Sequence, residues 1–86
     1  MNRSQAERAV LEVLADNPGR TLHRLEIGAE VFARTGGTFL ASTIGGLLNR
    51  RLISRPQPDP GPKVHRYAIT DAGVAALELA DLFEAS

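Results

Sequence analysis

The sequence of 86 residues has no cysteine, which excludes a disulfide framework and any thiolate metal site and fits a reducing cytosol. No apolar run approaches the roughly 18 residues of a membrane span, and no apolar signal segment follows Met1-Asn2-Arg3-Ser4. A cytoplasmic chain that does not engage the membrane is therefore expected. Histidine is scarce: His23 and His65 are the only two, and neither stands beside a serine or an acid in a triad or at metal-ligand spacing. No catalytic residue, metal or cofactor is expected, and the chain reads as a non-enzyme. The glycine pairs Gly36-Gly37 and Gly45-Gly46 lack the spacing of either common phosphate-binding loop. Glu26 and Glu30, four apart, read as a solvated helix face rather than an acid pair.

What is present is the composition of one small globular domain, 43% apolar and 23% charged, with a core modest enough for oligomerisation to add stability. Net charge is zero but unevenly spread. From Arg20 to Arg66 eight cations face three anions, a net +5; the last twenty residues hold four anions and no cation, and the first nineteen carry −1. A basic middle between acidic ends points to a phosphate-facing surface, with a chance asymmetry as the plain alternative.

The periodicity predicts four helices. Helix one spans 4–16, opened by a Ser4–Glu7 capping box, striped by Ala6, Val10, Leu11, Val13 and Leu14, and stopped by Asn17-Pro18-Gly19. Helix two spans 22–34 with Thr21 as its cap. Its predicted inner face is Leu22, Leu25, Ala29 and Phe32, widened by Ile27 and Val31, and Gly36-Gly37 ends it. A short strand around Arg20 to Leu22, pairing with the later ribbon, is an added possibility at this point. Helix three spans 38–50, capped by Thr38, with Leu40, Ile44, Leu47 and Leu48 inward and Thr38, Ser42, Gly45 and Asn49 outward. Two glycines inside a helix cost about 1 kcal/mol each relative to alanine. Close approach to a DNA backbone and tight packing on a neighbouring helix account for them equally well.

Residues 52–69 read as a two-stranded wing, Leu52 to Arg55 and Val64 to Ile69, around a proline-rich tip carrying Lys63. Alternation places Tyr67 and Ile69 in the core and Arg66 outward. The last helix, 71–84, is capped at Thr70-Asp71 and is apolar around most of its circumference. Leu79, Leu82 and Phe83 would be exposed in a monomer, so a homodimer through this helix is expected.

Helix, turn, helix and basic ribbon in this order describe a mostly α fold with a small β-wing. It is a winged helix-turn-helix with a three-helix core, a two-stranded wing and a C-terminal helix, one domain over 1–86. In that architecture helix three suits the major groove and the wing the backbone or minor groove of double-stranded DNA. Thr38, Ser42, Thr43 and Asn49 are the candidate contacts from helix three, with Thr38 and the helix amino end suited to a phosphate. Arg50, Arg55, Lys63, His65 and Arg66 are candidates for the backbone.

The segments Leu47-Leu48-Asn49-Arg50-Arg51-Leu52-Ile53 and Arg66-Tyr67-Ala68-Ile69-Thr70-Asp71-Ala72-Gly73 resemble winged helix-turn-helix transcription regulators of the PadR and MarR types. Those families carry a leucine-rich recognition helix before Leu-Ile or Leu-Val, then a wing, then a strand running into Thr-x-x-Gly, held here by Thr70 and Gly73. Ala9 to Ala15 is similar to the PadR opening. The resemblance implies a repressor. Arg51 stands where these families often place a glycine, implying a strained or differently shaped turn. The terminal helix is shorter than the PadR dimerisation arm, and a small-molecule effector is not expected. The alternative to DNA binding is a winged-helix protein-interaction module, which the zero net charge favours.

Overall fold

The computed structural model describes residues 2–55 and 66–85, with side chains as far as residue 80 of the last helix. The first helix, α1 (Arg3–Ala15), is opened by Asn2, whose side chain accepts from Gln5 N at 2.8 Å while Gln5 Oε1 accepts from Asn2 N at 3.0 Å. The capping box thus lies two residues before the expected Ser4–Glu7 pair, and Glu7 is left for other contacts. Asparagine caps as well as serine does, so both registers satisfied the sequence rule. Ala6, Ala9, Val10, Leu11, Val13 and Leu14 are buried along one side. Beyond the helix Asn17 Nδ2 donates to Val13 O at 2.8 Å, and Gly19 turns the chain at φ 76°.

Leu22–His23 forms the strand β1, and α2 (Arg24–Thr35) begins directly after it. Helix two therefore starts two residues later than expected, and Thr21 is not its cap. His23 is: its Nδ1 accepts from Leu25 N at 3.1 Å, and Glu26 Oε1 accepts from His23 N at 3.0 Å. The helix is also turned the other way. Ile27 and Val31 are fully buried, whereas Leu25 is 76% exposed and Ala29 and Phe32 are exposed with it. Leu22 reaches the core from a strand, so it does not set the phase of the helix behind it. Gly36, at φ 72°, closes α2 with its N–H on Phe32 O at 2.8 Å.

The third helix, α3 (Ala41–Asn49), begins three residues after Thr38, with Leu40 as N-cap and no side-chain cap. Phe39, rather than Leu40, packs against the core, and Leu40 is exposed. Ile44 and Leu47 are buried as expected. The helix ends in a Schellman turn: Leu52 N bonds Leu47 O at 3.0 Å and Arg51 N bonds Leu48 O at 3.0 Å, with Arg51 left-handed at φ 58°. The glycine replaced by Arg51 is thus a glycine the turn geometry calls for.

Strands β2 (Ile53–Ser54) and β3 (Arg66–Ile69) pair antiparallel, Ile53 opposite Ile69 and Ser54 opposite Ala68. On its other side β3 pairs β1, Leu22 opposite Tyr67 and His23 opposite Arg66, so the order is β1-β3-β2. The wing is therefore part of a three-stranded sheet whose third strand comes from before α2. Tyr67 is buried and Ile69 packs on the core, as alternation predicts. The last helix, α4 (Asp71–Ala85), lies against α1 and adds Leu77 to the core. No described helix is long and apolar enough to cross a membrane.

Candidate nucleic-acid interface

Burial of Thr43, Ile44 and Leu47 fixes the rotation of α3. Ser42 and Asn49 are exposed on the opposite side, with Gly45 between them at helical spacing. Thr43, expected among the contacts, is 5% exposed and belongs to the interior. Its threonine hydroxyl made it look like a surface residue, but its position is that of Leu47 one turn on. Thr38 is exposed ahead of the helix rather than at its cap, which is Leu40.

The two glycines of α3 separate here. A Cβ built on Gly45 meets nothing within 4 Å, so internal packing does not demand glycine there. A Cβ on Gly46 would lie 3.1 Å from Arg3 Nη2, the movable end of a long side chain. Gly45 therefore leaves bare backbone at the middle of the outward stripe.

The cations divide as well. Arg50 turns back toward α1: its Nε donates to Gly46 O at 3.3 Å and its Nη2 pairs with Glu7 Oε2. Glu7 Oε1 is also 3.2 Å from Arg3 Nε. Arg3 is a residue that sequence reasoning missed. Its i,i+4 spacing to Glu7 reads as a local helix pair, and only the fold brings it beside Gly46. A groove of about 210 Å3 joins it to the stripe, lined by Asn2, Arg3, Ala6 and the segment Thr38 to Thr43 without Ala41. Arg66 is exposed on β3, its Nη1 3.4 Å from Thr21 O and 3.5 Å from Glu26 Oε1. Arg55 is exposed just beyond β2. Lys63 and His65 lie outside the described residues.

A knot at the end of α3 holds these parts in register. Thr70 Oγ1 donates to Arg51 O at 2.7 Å and accepts from Gly73 N at 3.1 Å, capping α4. Thr70 N donates to Leu52 O at 3.1 Å. A Cβ on Gly73 would sit 2.2 Å from Leu52 O, so only glycine lets α4 start this close to the turn. Thr-x-x-Gly is thus the fastening between α3, the wing and the last helix.

Of the expected dimer surface, Leu79 is 56% exposed on α4, with Val74 also exposed. The side chains of Leu82 and Phe83 lie outside the described ones. Among the described residues no group of three histidines or acids is placed to hold a metal ion.

No protein-family profile matches the sequence, and no curated protein matches it. Solved structures do match. The RosR chain of the hsRosR-S1 complex superposes with a TM-score of 0.70 at 22% identity, over 92% of this chain and 69% of that one. H. salinarum RosR from NaBr gives 0.69 at 20% identity, over 92% and 70%. At that identity the likeness speaks for fold alone. With the helical core, the β1-β3-β2 sheet and the stripe on α3, it establishes this chain as a winged-helix protein.

Proposed function

We propose that the protein binds double-stranded DNA and acts as a transcription regulator, with α3 in the major groove and the wing on the backbone or minor groove. The observation that carries this reading is the outward stripe of α3. Ser42, Gly45 and Asn49 present short polar groups and bare backbone, with no acid on the helix and with Arg50 at its carboxyl end. Asn49 suits the edge of an adenine and Ser42 either a base or a phosphate. The first amides of α3, uncapped by any side chain, suit a phosphate beside Thr38. Arg50, Arg55, Lys63 and Arg66 neutralise the backbone, and His65 is a further wing contact. The PadR and MarR resemblance supports a cytoplasmic repressor, and exposed Leu79 supports a homodimer through α4.

Fluorescence anisotropy of labelled duplexes at 50 and 200 mM salt, chosen to span a wide range of ionic strength, tests this. Binding should weaken steeply with salt. Substituting Arg55, Lys63 and Arg66 together by alanine should flatten the log–log slope by about 2.7 if each meets one phosphate. An unchanged slope removes the wing from the interface.

The second reading, a winged-helix module that docks on another protein, is favoured by one observation. Leu25 and Phe32 on α2, and Leu40 ahead of α3, are large apolar side chains left in solvent. Salt-independent failure to bind any duplex, with capture of a protein partner abolished by Leu25→Glu, would decide for it.

A further inference from the structure

Glu7 is the one acid joined to two guanidiniums from different elements in the described ion pairs that reach α3. Its Oε1 is 3.2 Å from Arg3 Nε on its own helix, and its Oε2 pairs with Arg50 Nη2 at the end of α3. The carboxylate side chain is 16% exposed, while that of Arg50 is 52% exposed. The acid lies beneath and the cation reaches outward. Both guanidiniums converge on Gly46: Arg50 Nε donates to its carbonyl at 3.3 Å, and Arg3 Nη2 stands 3.1 Å from where its Cβ would be. Gly46 is next to Gly45 on the outward stripe, and the groove of Arg3 runs to Thr38 and Ser42.

A carboxylate with each oxygen on a different guanidinium offers those cations what a phosphate group would offer. The other described acid–base pairs differ. Glu12 pairs with Arg8 within α1 at 2.7 Å. Glu26 meets Arg66 at 3.5 Å with the same oxygen that caps α2. Glu7 caps nothing, because the capping box of α1 is made by Asn2 and Gln5.

We infer that Glu7 is an internal competitor for phosphate: it holds Arg50 and Arg3 in reserve, and DNA binding requires those cations to leave it for the backbone. The inference rests on the DNA-binding reading above. It adds Arg3 to the interface and gives Glu7 a restraining role. Exchange of partner, rather than simple approach, lowers both affinity and salt sensitivity, because each cation arrives already neutralised and displaces a carboxylate. That restraint suits a protein of zero net charge that must release non-specific duplex.

The test compares wild type, Glu7→Gln, Glu12→Gln and Glu7→Gln with Arg50→Gln, by anisotropy of a labelled duplex between 50 and 200 mM salt. Glu12→Gln carries the same change in net charge on the same helix and serves as the control. Glu7→Gln should bind about five-fold tighter at 50 mM, the worth of a partly exposed ion pair. Its log–log slope should steepen by about 0.9 for each cation released, so that the advantage shrinks by 200 mM about 3.5-fold for one cation and about 12-fold for both. Adding Arg50→Gln should abolish most of the gain. If Glu7→Gln does not fold, Glu7→Met keeps the length of the side chain and takes its place. Wild-type binding with no gain in Glu7→Gln, or an equal gain in Glu12→Gln, overturns the inference alone. No binding by wild type or by Glu7→Gln overturns it together with the DNA-binding reading, whereas binding by Glu7→Gln only is its strongest support.

Discussion

A single methyl group at Gly73 would strike the fastening between α4 and the exit of α3. The Cβ of Gly73→Ala falls 2.2 Å from Leu52 O, 2.7 Å from Ile69 Cγ1 and 3.2 Å from Leu52 C. The first and last of these are backbone atoms, so no rotamer change relieves them. Leu52 O also accepts the bond from Thr70 N at 3.1 Å, and moving it away lengthens that bond. Overpacking of this kind costs up to about 3 kcal/mol. A weakened hydrogen bond adds about 1 kcal/mol. The preference of a helix for alanine returns up to about 1 kcal/mol. The net expectation is a loss of about 3 kcal/mol, which lowers the melting temperature of a domain this size by about 12–24 °C. Gly45→Ala is the matched control. With nothing within 4 Å of its Cβ it should raise stability by up to about 1 kcal/mol. Thermal melts followed by circular dichroism at low concentration, backed by urea titration, read both. A Gly73→Ala protein melting within about 4 °C of wild type, or above it, would refute the close approach.

Thr70→Val keeps the shape of the side chain but removes the bond to Arg51 O and the cap on Gly73 N; it should cost about 1–2 kcal/mol in urea unfolding. Arg51→Gly relieves a left-handed residue at φ 58°, worth about 1–2 kcal/mol, against about 0.5–1 kcal/mol of added chain entropy. A rise of about 0.5–1 kcal/mol in unfolding free energy is expected, and a fall would contradict the turn geometry. Sedimentation at micromolar concentration should show a dimer that Leu79→Glu converts to monomer; a wild-type monomer removes the dimer proposal.

The winged-helix pattern was readable because its signals are local. The stripe of α1, the stop at Asn17-Pro18-Gly19, Gly36 after α2 and the alternation around Tyr67 each act within a few residues. Even the anomaly at Arg51 announced itself. What misled was competition between equally good local choices. Asn2–Gln5 and Ser4–Glu7 both make a capping box, and His23 outcompetes Thr21 because β1 holds the chain extended up to it. Spacing puts Leu22, Leu25, Ala29 and Phe32 on the inner face of α2 with Ile27 and Val31 widening it, but Leu22 sits on a strand, and Ile27 and Val31 alone define the core side. Of the candidate interface, the outward placement of Ser42, Gly45 and Asn49 on α3 was legible from helical geometry, whereas Thr38, expected with them, precedes the helix. Thr43 was not, because a buried threonine has the same side chain as an exposed one. Nor was the meeting of Arg3, Glu7 and Arg50, which joins residues 43 positions apart.

The sheet carries a consequence for the order in which the protein assembles. The helices α1 and α2 can collapse on each other early, since only residues 16–23 separate them and Arg34 in the last turn of α2 reaches Asp16 at the end of α1 at 2.6 Å. The ladder between β1 and β3 cannot. Leu22 meets Tyr67 only after the whole helix-turn-helix and the wing have been drawn into one loop. Closing a loop of that length comes at an entropic cost before any cross-strand contact rewards it. Once closed, the ladder fastens the entry to α2 onto β3, so that entry cannot open without breaking the pairing of Leu22 with buried Tyr67. The helix pair should therefore form first and the strand ladder last, and the amides of the β1–β3 ladder should exchange only when the whole molecule unfolds.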